Sequence, residues 1–334
     1  MENLTIKYPN INSKLKGMYS KRITKTDLED LIKQNNMKNA VLLLKNKCDI
    51  FKNADENIDR LEIEALLEED EINDILKIKK LLNKSDLKIF EAFIKRYEIK
   101  CIKSMFRKLF SDDKTDDIII QNVKTWTVKI FNEIKGIETV QNFDEFFEAI
   151  KRMKYNNIFK KYQNEEKINV FNVENEIDKI YFENLYDLVS EHKNLRKIVG
   201  SEIDLLNILW IFRIKKYYDF KIEDLKKILI KRYYKIKPDL IDELINSKTY
   251  EDLLKIMEKT VYKSIFLDEN SIEENMDRYL YNISKKIFQN DIWSIAYILA
   301  YINVLEYENN DIINTIEGIR YNMDKSEILN RLVR

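Results

Sequence analysis

The stretch IDLLNILWIFRI at 203–214 leaves almost no polar face for a helix to turn toward water. Ile203, Leu205, Leu206, Ile208, Leu209, Trp210, Ile211, Phe212 and Ile214 cover nearly the whole helix circumference at about 100° per residue. A helix that is apolar all round is a buried helix. Asp204 and Asn207 are three positions apart and share a face, and Arg213 falls roughly opposite them. Buried polar groups need partners, because each one left unpaired costs about 1–3 kcal/mol. The stretch predicts a core helix whose polar pair belongs to a structural network.

The pattern returns along the chain. EIKCIKSMFR covers 98–107, DLLNILWIFR covers 204–213 and DIINTIEGIR covers 311–320. An acid comes first in each (Glu98, Asp204, Asp311). Cys or Asn follows three residues later (Cys101, Asn207, Asn314), and Arg follows nine residues after the acid (Arg107, Arg213, Arg320). The copies start 106 and 107 residues apart. NSKLKGMYSKR at 12–22 is a partial fourth copy that keeps Asn12 but lacks the acid and the Arg in register. Recurrence in every copy argues against a catalytic role for the trio.

A second signal has the same period. LLLKNKCDIF, AIKRMKYNNIF and IMEKTVYKSIF end at Phe51, Phe159 and Phe266, which are 108 and 107 residues apart. Tyr155 and Tyr262 each precede their Phe by four residues, a helical neighbour spacing. A weaker echo puts Asp178 and Asp277 in equivalent places of NEIDKIYFENL and ENMDRYLYNIS. A period near 107 is too long for the usual solenoid repeats of about 20–50 residues. It predicts three multi-helix modules at 1–97, 98–203 and 204–310, with a closing segment at 311–334. Motif copies at both ends of the chain predict that the ends meet.

Composition supports an all-α fold. The 334 residues include only four Gly and two Pro, too few turn formers for a sheet protein of this size. Capping boxes at Thr26–Glu29, Asn142–Glu145, Ser271–Glu274 and Asp324–Glu327 mark helix starts. Gly200 and Pro238 mark further breaks. The formal net charge is zero, so no global field draws polyanions. Cys48 and Cys101 have neither metal-ligand nor disulfide-framework spacing, which points to a reduced, cytosolic compartment. The N-terminus lacks the apolar core of a signal peptide. DIWSIAYILAYINVL at 291–305 falls short of the roughly 20 apolar residues that span a bilayer, and reads as a buried helix.

Charge is uneven along the chain. Residues 55–74 hold ten acids and one Arg, whereas 213–237 hold ten basic and three acidic residues with Tyr217, Tyr218, Tyr233 and Tyr234 interleaved. The basic stretch is either a solvated amphipathic face or an anionic-polymer or lipid surface. Both segments are candidate docking surfaces. Asp112, Asp113 and Asp116 in SDDKTDD match the DDxxD spacing that holds magnesium in helical isoprenoid synthases, but Lys114 interrupts the run, and a polar loop is the simpler reading. His192 is the only histidine, so no two-His metal site exists, and no GxxxxGK[ST] loop occurs. No cofactor is expected.

Taken together, the motifs resemble the C-subunit family of V-type/A-type ATPases, whose eukaryotic counterpart is the d subunit, over nearly the full chain. The family's N-terminal Y-x-N-A-R-x-R-A-L-x-S-x-L-L-T pattern is matched by NSKLKGMYSKRIT from Asn12 to Thr24, with Lys14 and Lys16 where arginines are usual. Its threefold acid-x-x-Asn…Arg pattern is matched at the three copies above, with Cys101 replacing Asn in the first. Its T-x-Y element is matched at 260–262, and EYENNDIINTIEGIRYNM resembles its closing helix. The resemblance implies a funnel of three helical modules around a central hollow, with no bond chemistry of its own. It implies one end seated on the membrane rotor ring of proteolipid protomers and a hollow that receives the D and F subunits of the central shaft. It also implies a peripheral position on the cytoplasmic face, and no nucleic-acid partner.

Overall fold

A computed structural model describes residues 8–110, 131, 136–162, 169–217 and 222–334. All regular structure among the described residues is helical. The first helices are α1 (Pro9–Tyr19), α2 (Lys25–Ile32), α3 (Met37–Lys47), α4 (Arg60–Lys79) and α5 (Lys84–Lys108). Next come α6 (Phe143–Ile150), α7 (Asn156–Tyr162), α8 (Val170–Leu188), α9 (Lys193–Tyr217) and α10 (Ile222–Ile228). The chain continues through α11 (Pro238–Asn246), α12 (Tyr250–Met257), α13 (Ile272–Asn290), α14 (Ile295–Arg320) and α15 (Lys325–Asn330).

Lengths recur in order along the chain. The short pairs α2–α3 and α11–α12 each lead to a fully buried phenylalanine, Phe51 and Phe266, and in the pair α6–α7 the corresponding Phe159 lies within α7. A helix of 20, 19 or 19 residues follows (α4, α8, α13). A helix of 25, 25 or 26 residues comes next (α5, α9, α14). Glu98, Asp204 and Asp311 all lie inside the longest helices.

Local sequence explains where the helices begin. Thr24 caps α2: its Oγ1 accepts from the Asp27 amide, and Asp27 accepts in return from the Thr24 amide. The start expected at Thr26–Glu29 therefore lies two residues too late. The earlier box turns Leu28, Leu31 and Ile32 inward together. Asn142 caps α6 as expected, through the Glu145 amide at 3.0 Å. Asp324 precedes α15 without a side-chain cap bond, and the Ser271 hydroxyl turns to Asp268 at 2.7 Å beside the start of α13. Asp59–Glu62 and Thr249–Asp252 form boxes at α4 and α12. Pro238 opens α11, but Gly200 lies within α9 and breaks nothing.

The described residues form two compact units. Unit 1 takes those up to Leu87 together with Tyr281–Arg334, and unit 2 takes those between Lys88 and Leu280. In unit 1, α14 packs on α2, α3, α4 and α15. Its C-terminal half places Ile312, Ile316 and Ile319 in one core with Leu28, Leu31, Val41, Leu44, Phe51, Ile63 and Leu67. Its N-terminal half, Ile295–Leu305, is buried at every position. No helix among the described residues is long and apolar enough to cross a membrane. In unit 2, α8 and α9 form a hairpin, α9 packs on α11 and α12, and α8 packs on α7 and α10. Phe106, Phe146 and Phe159 meet there with ring centroids 5.0–5.6 Å apart. Truncating any one of these buried rings to Ala costs about 3–5 kcal/mol.

Candidate functional site

On α9, Asp204 and Asn207 are both 1% exposed and grip one extended segment that follows α10. Asn207 binds Ile230 twice, accepting its amide at Oδ1 and donating to its carbonyl from Nδ2, each at 2.9 Å. Asp204 accepts the amides of Tyr234, Lys235 and Ile236 at 2.7–3.1 Å, and the Tyr262 hydroxyl at 3.0 Å. Two side chains thus satisfy backbone groups that have no ladder to join. Burial raises the Asp204 carboxyl above the ordinary range, and the amide and hydroxyl donors only partly offset it. Burial also pushes the Tyr262 phenol upward, with the Asp204 charge adding to the shift.

Gly200 makes this approach possible. A Cβ there would lie 2.6 Å from Tyr234 Cβ and 2.7 Å from its Cγ. A glycine that the sequence marks as a helix break is in fact a close-packing site one turn before Asp204.

In unit 1, Asp311 on α14 is likewise 1% exposed. Its Oδ1 accepts the Val333 amide at 2.9 Å, and its Oδ2 accepts Arg334 Nε at 3.0 Å. Burial raises this carboxyl as well, against the pull of Val333 and Arg334. Asn314 is half-buried. Gly318 repeats the role of Gly200, since a Cβ there would lie 2.5 Å from Ile328 Cγ1. In the first copy, Glu98 is 1% exposed with Lys95 Nζ at 3.8 Å, and Cys101 is fully buried.

The arginines of the pattern lie elsewhere, at the surface. Arg107 pairs with Glu174 near the start of α8 at 2.5 and 2.7 Å, and Arg213 pairs with Glu273 at the start of α13. Arg320 stands over the Tyr321 ring at 5.6 Å. Asp178 pairs with Lys103 at 2.5 Å, whereas Asp277 is exposed. His192 is exposed between α8 and α9.

The charged segments are largely engaged within their own units. Arg22 binds both Asp70 and Asp74, and Tyr301 donates to Asp74 at 2.6 Å. Glu71 is 5% exposed, with Asn309 Nδ2 at 3.4 Å. In the basic segment, Lys216 pairs with Glu269, Lys226 with Asp242 at 2.7 Å and Arg232 with Asp187 at 2.6 Å. Tyr218 and the side chain of Tyr217 lie outside the described residues, as do Asp112, Asp113 and Asp116. Large apolar side chains remain exposed at Val261 and Leu267 in unit 2, and at Trp293 and Tyr321 in unit 1.

A second polar hub in unit 1 carries no repeat signal. Glu308 Oε1 accepts Tyr19 Oη at 2.8 Å, Tyr281 Oη at 3.0 Å and Lys285 Nζ at 2.9 Å. Arg334, 4% exposed, completes it from the other side. EYE at 306–308 reads as the polar flank of an apolar run, and Arg334 stands outside the three motif copies. Only the position of Glu308, three residues before Asp311 and hence on its helix face, links the two in sequence.

None of these arrangements joins a nucleophile to a base. Among the described residues, no three His, Cys, Asp or Glu side chains are grouped to hold a metal. What the geometry does is fasten extended segments to long helices.

Residues 11–331 match the ATP synthase (C/AC39) subunit family. The C subunit of the A-type ATP synthase of Methanosarcina barkeri is 24% identical over 63% of this chain and 60% of that protein. The chain thus spans about 60% of the length of the Methanosarcina barkeri and Methanosarcina mazei relatives it matches. The same-named protein of Methanocaldococcus jannaschii is 22% identical over 98% of this chain and 86% of its own length. That of Methanosphaera stadtmanae is 22% identical over 92% and 82%. With the match running from α1 to α15, the chain belongs to the ATP synthase (C/AC39) subunit family.

Proposed function

We propose that this chain is the non-catalytic socket of a rotary A-type or V-type ATPase. It is then a central-stalk component that couples the D and F subunits of the shaft to the membrane rotor ring of proteolipid protomers. It sits peripherally on the cytoplasmic face, one copy per complex, and holds no cofactor. The observation that carries the reading is the family match over 11–331, in a chain whose conspicuous polar groups fasten helices and extended segments. The relatives' name places them in an A-type ATP synthase. The ion moved and the direction of ATP turnover belong to other parts of the complex.

Transmitting torque favours a body that does not yield. A close-packed helical interior resists deformation; the Asp204 network ties backbone amides to α9, and the Glu308 network ties side chains of α1 and α13 to α14. Three modules around a hollow suit the task. The recurring order of two short helices with a buried Phe in or after the second, followed by two long helices, supports that architecture. Glu98, Asp204 and Asp311 then mark the period, and Asp204 and Asp311 fasten irregular segments to their helices. The motif-based boundaries at 97/98, 203/204 and 310/311 fall within α5, α9 and α14, so they give the repeat length and leave the module edges at the short helix pairs.

The basic stretch at 213–237 favours this reading over a nucleic-acid adaptor. Arg213, Lys216, Lys226 and Arg232 face carboxylates within unit 2, which compensates much of the charge a polyanion would need. The exposed Val261 and Leu267, and separately Trp293 and Tyr321, are candidate contact residues for the partner proteins. Reconstitution tests the reading. The purified chain mixed with the D and F subunits of the shaft is expected to co-elute as one species with one copy of this chain. Separate elution of all components at micromolar concentration would contradict it.

A further inference from the structure

The two buried aspartates solve one problem in different ways. In unit 2, Asp204 meets three consecutive backbone amides, those of Tyr234, Lys235 and Ile236. In unit 1, Asp311 meets the amides of Val333 and Arg334 and then a side chain, Arg334 Nε. The guanidinium supplies a donor where unit 2 uses a third amide. It then reaches further than an amide can. Its Nη1 donates to the Ile23 carbonyl at 2.7 Å, and its Nη2 donates to the Glu308 carbonyl at 3.0 Å. A planar fork of fixed donors suits such divided bonding, and a lysine could not reproduce it.

The elements joined in this way are far apart in sequence. Ile23 lies in the link between α1 and α2, 311 residues from Arg334. The Glu308 carboxylate, 3.8 Å from Nη1, also holds Tyr19 of α1 and Tyr281 and Lys285 of α13. Arg334, Asp311 and Glu308 have side chains 4%, 1% and 5% exposed. Removing the cation would leave the Asp311 carboxylate buried without its counter-charge and Glu308 with Lys285 as its close cation.

We propose that Arg334 is a conformational clasp. It ties the link that leads into α2 to the middle of α14, and its release opens the α2–α3 face of unit 1 while unit 2 stays closed. Local opening of this kind is set by the few contacts that hold a segment rather than by global stability.

The chain carries its own reporters. Cys48 is 6% exposed in the unit 1 core beside α2 and α3, and Cys101 is fully buried in unit 2. Site-resolved iodoacetamide labelling, read by peptide mass spectrometry on the full chain, measures both thiols in one sample. Arg334→Ala is expected to speed labelling of Cys48 about tenfold or more, with Cys101 unchanged. Arg334→Lys keeps the charge but loses the fork, and is expected to give a smaller rise at Cys48 alone. Arg331→Ala removes a half-exposed pair with Glu327 and should leave both thiols at the wild-type rate. If Arg334→Ala does not fold, Arg334→Lys decides. An unchanged Cys48 rate in the variant that decides, or equal acceleration of both cysteines in Arg334→Lys, would overturn the clasp.

Discussion

Asp204 on α9 accepts the hydroxyl proton of Tyr262, 58 residues further along the chain, at 3.0 Å. The bond joins the longest helix of unit 2 to the segment after α12, while the same carboxylate holds three amides after α10. One carboxylate therefore organises two irregular segments. Asp204→Ala strands all four donors and is expected to destabilise the protein by about 3 kcal/mol or more. Tyr262→Phe leaves the amide bonds in place and should cost about 1–2 kcal/mol. Urea denaturation checks the order. Equal losses in the two variants would mean that the amide cluster contributes nothing.

Glycine substitutions separate close packing from helix propensity. Gly17 in α1 has nothing within 4 Å of an added Cβ. Gly17→Ala should therefore stabilise by about 0.5–1 kcal/mol. Gly200→Ala gains the same propensity but drives its methyl into the Tyr234 side chain. A net loss of about 1–3 kcal/mol is expected from such overpacking. Thermal melts of the two variants should shift in opposite directions. A shift upward for both would contradict the close approach of α9 and Tyr234.

The buried aspartates give a pH prediction with a definite sign. Burial raises the Asp204 and Asp311 carboxyls above the ordinary aspartate value of 3.8. The native state then holds their protons more tightly than the unfolded state does. Their contribution to stability is fully present below the unfolded value and is lost as pH rises through the folded one. Carboxyl carbon NMR titration should give both groups midpoints above 3.8. Midpoints at or below it would show that the amide donors, and not burial, dominate.

The Lys226, Lys227 and Lys231 triple reversal to Glu probes the basic segment. Lys226 pairs with Asp242 across a half-exposed contact, and exposed pairs contribute about 0–1 kcal/mol each. The isolated fold should melt within a few degrees of wild type. If this surface docks, assembly with the partner proteins should weaken at the same time. Unchanged assembly would remove 213–237 from the docking surfaces.

The helical class is legible in the sequence because glycine and proline are scarce and the core stretch at 203–214 is apolar all round. The motif spacing also indicates which residues share a face. It cannot indicate what lies across from them. The partner of Asp204 is an extended segment 30 residues away, and an irregular segment carries no period to read. The acidic run at 55–74 reads as a surface because net charge is blind to helix faces. Glu71, Asp74 and Ile78 follow the inward helical spacing of α4, and Arg22 claims Asp74. Gly200 reads as a break because a helix-interior glycine and a helix-ending glycine are the same letter. Arg334 escapes a sequence reading because a single arginine outside the repeat has no pattern to mark it.

Affinity isolation of the tagged chain from native membranes tests the socket role most directly. The proteolipid ring and the D and F subunits of the shaft are expected to be recovered with it, with one copy of this chain per complex. Recovery of the chain without ring or shaft, under conditions where those components remain assembled with one another, would contradict the socket.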